Sequence, residues 1–359
     1  MTIDYMVELH KFLYMSNDSD LNILKERVLN HLQYMPHKKL YRYRKSTNRE
    51  ITTLSKNSIW LSNPESFVDV FDATIPIQDD VTIASDYGFR FTAEVAYKAI
   101  VETAKDDEFV PSKEAFYQAM CEAKTTYNTR YKIDKKMREI YGNEYEMYET
   151  RKLALSEHNR VVEKKARAAI EFMHYVAEQP RKTMSIASFS RSKDNRNMWE
   201  NYASNYSGFC VEYDFYRAIE SFDAKTAWDI LHLLPVSYYA KREPLNHSKI
   251  LQSLVTHHTK QGEFDIDVEE ILKSEYLSLT TKLLDYRSEK EWRLVMPNKH
   301  YGLYEFPYVS AIYLGKDMPD NKAGKLLSIG EKLGVDVFLQ LPSNKADSFQ
   351  YIKISEKQS

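Results

Sequence analysis

The chain has 359 residues, of which 43% are apolar and 28% are charged, and its formal net charge at pH 7 is -2. This length and apolar content can build the core of one large domain or two ordinary ones, and the near-neutral charge gives no reason to expect strong nonspecific binding to nucleic acid or anionic membranes through the field of the whole molecule. Two cysteines far apart, no basic leader followed by an apolar segment and no run of about 18 apolar residues predict a soluble cytoplasmic protein that lacks disulfides and contacts no membrane.

The sequence lacks the characteristic motifs of several enzyme classes. Glycine occurs only 9 times, and neither G-x-x-x-x-G-K-[ST] nor G-x-G-x-x-G is present, which disfavours folds that cradle phosphates in glycine-rich loops. The ten histidines form no H-E-x-x-H motif, and adjacent His257 and His258 are too close in sequence to share one helical face. We therefore expect no metal site, and the absence of G-x-S-x-G gives no support to a serine hydrolase.

The predicted elements begin with an N-terminal pair of helices in residues 1–38, the second of which runs over 21–35 after a polar turn. Residues 40–44, LYRYR, alternate Tyr with Arg, which is the period of a half-buried strand. A short helix at 48–56, a second strand in SIWLS and the loop NPESFVDVFD follow.

Residues 92–179 show no strand-like alternation and are rich in Ala, Glu and Lys, which predicts a helical insertion. An apolar stripe at helical spacing predicts that two of its helices pair as an antiparallel hairpin; its members are Tyr148, Leu155, Val162, Ala166, Ala169, Met173 and Val176. The other face is basic, with Arg151, Lys152, Arg160, Lys164, Lys165 and Arg167. It is either a solvated helix surface or a contact for nucleic acid or a partner.

Strand patterns return after Pro180, at residues 184–190, 208–214, 233–239, 291–296, 308–315 and 335–341 and in a final FQYIKI. Helices are predicted near 193–205, 214–231, 246–282 and 319–333. Strands at both ends of the chain, around a helical block, predict an α+β protein. Its mixed-sheet core domain comprises residues 39–91 and 180–359 and carries the insertion.

Two groups of residues could take part in anion or ring binding. Arg42 and Arg44 either face water or fork onto a phosphate or carboxylate. Met198, Trp199 and Tyr202 share one helical face, where they either join the core or form the flat wall of a pocket for a planar ring.

Two further pairs lie on predicted strands. Ser188 and Ser190 share one side of their strand. Glu289 and Glu291 are also predicted on one side of a strand, where like charges repel unless cations, protonation or a ligand relieve them. With Arg287 and Arg293 they form either a surface ladder of ion pairs or a carboxylate pair that acts at a sugar.

Taken together, these motifs resemble a bacterial family of unknown function with the pattern Y-x-Y-R, F-N-D-P-F-D, F-S, M-W-x-x-Y, G-x-C-x-E-[YF]-D and K-x-x-x-W-x-x-E-x-E-x-R. The counterparts here are Tyr41, Tyr43 and Arg44; Phe67, Asp69, Phe71 and Asp72; Phe189 and Ser190; Met198, Trp199 and Tyr202; Gly208, Cys210, Glu212, Tyr213 and Asp214; and Lys282, Glu289, Glu291 and Arg293. The likeness spans residues 40–315 outside the insertion. Val68, Val70 and Tyr286 depart from the pattern.

More remotely, the order of Arg, S-x-S and E-x-E along the chain resembles mono-ADP-ribosyltransferases of the Arg-Ser-Glu type. This resemblance implies a split sheet and NAD as a substrate. Arg44, beside Tyr43, would bind the pyrophosphate, Ser188 and Ser190 would brace the nicotinamide side, and Trp199 and Tyr202 would wall the cleft. Glu291 would hold the ribose hydroxyl while Glu289 acts on the acceptor.

The leading expectation is therefore an NAD-dependent mono-ADP-ribosyltransferase, a toxin or anti-phage effector that modifies nucleic acid or protein and is controlled by an antitoxin or another defence protein. One alternative is a noncatalytic sensing or binding module of a defence system. Another is a metal-dependent nuclease that uses Asp69, Asp72, Glu289 and Glu291. The transferase requires Arg44, Ser188 and Glu291 to converge on one cleft.

Overall fold

The computed structural model of the protein describes residues 1–15, 20–67, 69, 71–103, 112–118, 145–242, 244–245, 247–259, 268–297, 301–342 and 349–354. The chain forms two compact units. The first comprises Met1–Pro76, Glu178–Glu243 and Leu272–Ser359, and the second comprises Ile77–Ala177 and Pro244–Ile271. The boundaries expected from composition, with an insertion at 92–179, stay a prediction.

The helices are α1 Ile3–Met15, α2 Leu21–Leu32, α3 Asn48–Ser55, α4 Asp80–Thr103, α5 Tyr145–Thr183, α6 Arg196–Asn201, α7 Phe215–Ala218, α8 Ala224–Leu231, α9 Ser248–Thr259, α10 Val268–Thr280 and α11 Asp320–Leu333. Short 3-10 helices occur at Pro36–Lys38, Pro64–Ser66 and Leu284–Glu289. The side chain of Asp20 caps α2, and Thr47 caps α3 by accepting from the backbone N of Glu50.

The strands are β1 Lys39–Arg44, β2 Ser58–Leu61, β3 Met184–Ser190, β4 Phe209–Asp214, β5 Leu233–Pro235, β6 Ser237–Tyr239, β7 Thr281–Leu283, β8 Glu291–Pro297, β9 Gly302–Glu305, β10 Val309–Leu314, β11 Asp336–Leu341 and β12 Gln350–Lys353. Eight of them form the main sheet in the order β12-β11-β10-β4-β1-β3-β8-β5. Only β10 and β11 run parallel within this sheet. The predicted α+β class with a mixed sheet is therefore confirmed.

The centre of the sheet has a weak seam. Strands β1 and β4 pair along six residues, whereas β1 and β3 share a single pair, Tyr41 with Ser190. Strand β2 lies in a separate ribbon with β9, and an isolated bridge between Ser62 and Ile186 ties it to β3. An ADP-ribosyltransferase-like split sheet stays a prediction.

The two faces of the sheet carry different side chains, because alternate residues of a strand point to opposite sides. We call the side that bears Leu40, Arg42 and Arg44 of β1 the arginine face, and the side that bears Tyr41 and Tyr43 the tyrosine face. The arginine face packs on the largest core, to which helices α2, α3, α8 and α11 contribute. A smaller core on the tyrosine face joins β1, β4 and β10 to α6.

Several predicted boundaries are wrong in instructive places. In the region 246–282, predicted as helical, the described residues form α9 and α10, and residues 281–282 belong to β7, which pairs in parallel with β6. The segment 233–239 divides into β5 and β6 at Val236, whose backbone N donates to the Glu291 carbonyl. Strand β9 was not predicted at all, because its partner β2 lies far away in sequence.

The second unit confirms the buried stripe of α5 where its side chains are described. Ala166, Ala169, Met173 and Val176 are buried. Gly88 of α4 lies so close to α5 that a Cβ there would come within 3.2 Å of Val162 Cγ1. The side chains of Tyr148, Arg151, Lys152 and Leu155, like all of Cys121, lie outside the described residues.

Gly208, at the start of β4, is a position where only glycine fits. A Cβ there would lie 2.2 Å from the carbonyl oxygen of Arg44 and 2.7 Å from that of Ala203, and neither backbone atom can swing away. We expect Gly208→Ala to lower the free energy of unfolding by about 2–3 kcal/mol in urea denaturation.

Gly324→Ala is the matched control, because Gly324 is an exposed position within α11 where a Cβ meets nothing within 4 Å. We expect that change to raise the free energy of unfolding by about 0.5–1 kcal/mol. Equal effects of the two substitutions would contradict the close packing at Gly208.

Candidate functional site

Two of the predicted site residues, Ser190 and Glu291, lie in one row with Tyr41 on the tyrosine face. Tyr41 of β1 pairs with Ser190 of β3, and Ser190 pairs with Glu291 of β8. Residues directly opposite each other in antiparallel strands point to the same face, so these side chains are neighbours across the seam. Ser190 is buried and donates from Oγ to the Glu289 carbonyl, 2.8 Å away.

Arg44 does not join this row. It pairs with Phe209 of β4, whose ring belongs to the arginine-face core, and its Nε lies 3.4 Å from Glu50 Oε2. Arg42 lies on the same face. The structure therefore brings Ser190 and Glu291 together but leaves both arginines of β1 on the other side of the sheet.

Glu291 is held by two cations. Its Oε1 accepts from Arg293 Nε at 2.9 Å, and its Oε2 lies 2.7 Å from Lys282 Nζ, although only 4% of the residue is exposed. Burial alone would raise the pKa of this carboxyl, but the charges of Arg293 and Lys282 outweigh it and lower the pKa to about 2. Glu291 is therefore ionised at neutral pH.

Glu289 does not lie on a strand, so the prediction that both glutamates share one side of a strand is wrong. Glu289 ends the 3-10 helix, and Lys290 adopts a left-handed conformation with φ 48° before β8 begins at Glu291. The turn nevertheless brings the two carboxylates together, because Lys282 Nζ lies 2.9 Å from Glu289 Oε2 as well. Tyr202 donates from its hydroxyl to Glu289 Oε1 at 2.7 Å.

Arg293 links this group to the loop after β2. Its Nη1 and Nη2 each donate to one oxygen of Asp72 at 2.8 Å, the bidentate geometry that makes such pairs strong, and Nη1 also donates to the Leu279 carbonyl. Both Asp72 and Arg293 are buried. We call Asp72, Lys282, Glu289, Glu291 and Arg293 the ion network.

The ion network is not the surface ladder that the sequence suggested. Arg287 is exposed, whereas Glu289, Glu291 and Arg293 are buried. Surface pairs contribute little to stability, but removing one member of a buried network leaves a charge without its partner and is strongly destabilising. The network therefore holds β7, β8 and the loop after β2 in place.

The remaining predicted residues have other surroundings. Trp199 is completely buried and donates from Nε1 to the Lys193 carbonyl, and Tyr43 packs edge-on against it and donates to the Ser192 carbonyl. Both are core residues, so neither ring walls an open pocket. Ser188 is exposed, and Tyr202 is 43% exposed.

The sequence analysis did not predict the buried ion pairs of Lys282 and Arg293 with Glu291. It gave Lys282 no role beyond the family pattern and placed Arg293 in a surface ladder as one of two alternatives. It also missed Tyr238, whose hydroxyl accepts from the backbone N of Glu291 at 2.8 Å, and Asn195, which donates to the Ser288 carbonyl. The pattern of Lys282, Glu289, Glu291 and Arg293 was the one available signal, because it sets two cations against two carboxylates.

Three of the four carboxylates proposed for a metal-dependent nuclease are already engaged by cations. Asp72, Glu289 and Glu291 bind Arg293 or Lys282, so a divalent cation would have to displace these groups. Among the described residues, no group of three or more His, Cys, Asp or Glu side chains is arranged to hold a metal ion.

The fold and the ion network define an α+β protein whose polar centre is a closed set of buried charges. Residues 198–294 match the model of a family described as Protein of unknown function (DUF2971), which confirms the predicted resemblance to a family of unknown function. The matched segment contains every member of the ion network except Asp72. Val68 and Val70, the departures from that pattern in the loop, lie outside the described residues.

No curated protein and no solved structure matches the chain. Within the described ranges, the longest apolar helical stretches fall short of what a membrane span needs.

The low pKa of Glu291 predicts a defined acid sensitivity. A carboxyl with a pKa of about 2 in the folded protein and 4.5 otherwise contributes stability above pH 4.5 and loses it as the pH falls from 4.5 towards 2. We expect Glu291→Gln to lower the free energy of unfolding at pH 7 by about 3 kcal/mol and to flatten the fall in stability across that window. Urea titrations from pH 7 to pH 2 measure both effects.

Glu331→Gln provides the control, because Glu331 lies exposed on α11. Its stability profile should follow that of the wild type. If Glu291→Gln also followed it, the ion network would not be holding the fold.

Proposed function

We propose that the protein is a noncatalytic binding module. The observation that carries this proposal is the saturation of its carboxylates: Glu289 and Glu291 are 5% and 4% exposed, and both bind Lys282. A catalytic carboxylate must come within hydrogen-bond distance of the reacting group of a substrate. These two groups instead serve the fold.

The electrostatics support the same conclusion. A general acid or base works best when its pKa lies near the working pH, whereas Arg293 and Lys282 lower the pKa of Glu291 to about 2. An ionised carboxylate shared between two cations is a weak base, and its negative charge is already neutralised. This carboxylate can therefore stabilise the positive charge of an oxocarbenium-like centre only weakly.

A second candidate is NAD-dependent ADP-ribosyl transfer to a nucleic acid or protein, and one observation favours it. Tyr41, Ser190 and Glu291 lie side by side on three adjacent strands of the tyrosine face, at the weak seam of the sheet. In this candidate Tyr41 takes the place expected for Arg44. Lys282 and Arg293 would then have to release Glu291 before it could hold the ribose hydroxyl of NAD.

Turnover of NAD separates the two candidates. We expect purified protein, incubated with labelled NAD and cell lysate fractions, to release nicotinamide and label macromolecules at the rate of a blank without protein. Tyr41→Phe removes one hydroxyl from a half-buried side chain and should leave the fold intact, so it tests catalysis without relying on the less stable Glu291→Gln. Labelling of macromolecules together with nicotinamide release, both persisting in EDTA and both at least tenfold lower in Tyr41→Phe, would establish the transferase instead.

A further inference from the structure

A cleft opens on the arginine face, between β1, β2, α3 and β4. Arg42, Arg44, Glu50, Ser58 and Trp60 are among the residues that line it, and we call it the arginine cleft. All of them belong to the first compact unit. The space between these residues is about 230 Å³, much of it open to solvent at the mouth of the cleft, so the inner part admits only a small group.

The inner end of the cleft is built around Arg42. Only 4% of this residue is exposed. Its Nη2 donates to the Trp60 carbonyl at 2.7 Å, and its guanidinium carbon lies 5.5 Å from the centre of the Phe189 ring. Strand β2 therefore contacts the guanidinium through the Trp60 carbonyl, and β3 contacts it through the Phe189 ring.

Two nitrogens of Arg42 have no acceptor among the described residues. Nε and Nη1 are both buried and make no hydrogen bond there. Burying a charged donor without an acceptor is strongly unfavourable, and buried polar groups in native proteins are almost always paired. A ligand that brings acceptor oxygens into the cleft would supply the missing partners.

The charge of the cleft selects the ligand. Two guanidinium groups, Arg42 and Arg44, line it against one carboxylate, Glu50. That carboxylate is already engaged, because Arg44 Nε lies 3.4 Å away and Arg49 Nη2 lies 3.2 Å away. The side chain of Arg44 is 27% exposed. The cleft therefore carries a net positive charge, which attracts an anion.

We propose that the arginine cleft binds an oxyanion, a phosphate or carboxylate group, through the free nitrogens of Arg42. Arginine suits this role because each edge of its planar guanidinium matches the oxygens of such groups. This inference rests on the proposed function as a binding module and names the chemical class of its ligand. It involves the face opposite to the ion network, so it requires no change in the contacts of Glu291.

Thermal unfolding at pH 7 with inorganic phosphate, acetate or chloride at equal ionic strength tests the proposal. We expect one of the two oxyanions to raise the melting temperature of the wild type above its value in chloride, by about 3 °C at ten times the dissociation constant. The more effective ion identifies the group, phosphate or carboxylate. Arg42→Met should lose the whole difference, because methionine fills the space without donors.

Arg196→Met is the matched control, since Arg196 is an exposed arginine on α6 that pairs with Glu200. It should keep the full response to the oxyanion. Should Arg42→Met fail to fold, the Nε–H resonance of Arg42 in the wild type provides the readout, and we expect it to shift and saturate with the oxyanion but not with chloride.

The proposal is overturned if the wild type melts at the same temperature in all three salts, or if Arg42→Met responds as the wild type does. Arg42 would then be a buried cation held by Trp60 and Phe189 alone. These outcomes differ from failure of the proposed function, which would show as nicotinamide release from NAD whether or not the cleft binds an anion.

Discussion

Arg293 is the residue on which the rest of the structure depends. It is 1% exposed, and each of its five N–H groups has an acceptor: Asp72 and the Leu279 carbonyl for Nη1, Asp72 and Glu291 for Nη2, and Glu291 for Nε. A buried guanidinium is tolerated only when its donors are satisfied in this way. Its acceptors come from β8, from the end of α10 and from the loop after β2, so one side chain ties β8 to a loop that is 221 residues away in sequence.

This constraint decides what the two glutamates can do. Glu291 forms an ion pair with Arg293, and Lys282 forms ion pairs with both Glu291 and Glu289. The resulting chain of alternating charges includes Lys282, whose side chain is 12% exposed, and Glu289, which accepts from the 43% exposed Tyr202. Two adjacent carboxylates in a sequence suggest chemistry, but their cost in repulsion is removed here by cations of the same protein rather than by a ligand.

Alternation along single strands could be predicted from the sequence, whereas relations between strands could not. LYRYR correctly placed Tyr and Arg on opposite sides of β1, and the apolar runs located β3, β4, β8 and β10. Which side of β1 faces Ser190 and Glu291 depends on register, and a shift of one residue would have put Arg42 opposite Ser190 and both arginines of β1 on that face. Nothing local specifies that register. The turn at Lys290 escaped prediction for a related reason, because a lysine rarely adopts a positive φ.

The two buried arginines of the sheet, Arg293 and Arg42, differ in how their donors are satisfied, and this difference favours a ligand in the arginine cleft. Arg293 shows that this fold can satisfy every donor of a buried guanidinium from its own residues. Arg42 lies on the opposite face, where β1 and β3 share one residue pair and β2 fills the gap, and there the fold supplies one carbonyl and one aromatic ring. An aliphatic side chain would fill that space without leaving donors unpaired. The guanidinium of Arg42 is therefore better explained by something it binds than by what it packs against.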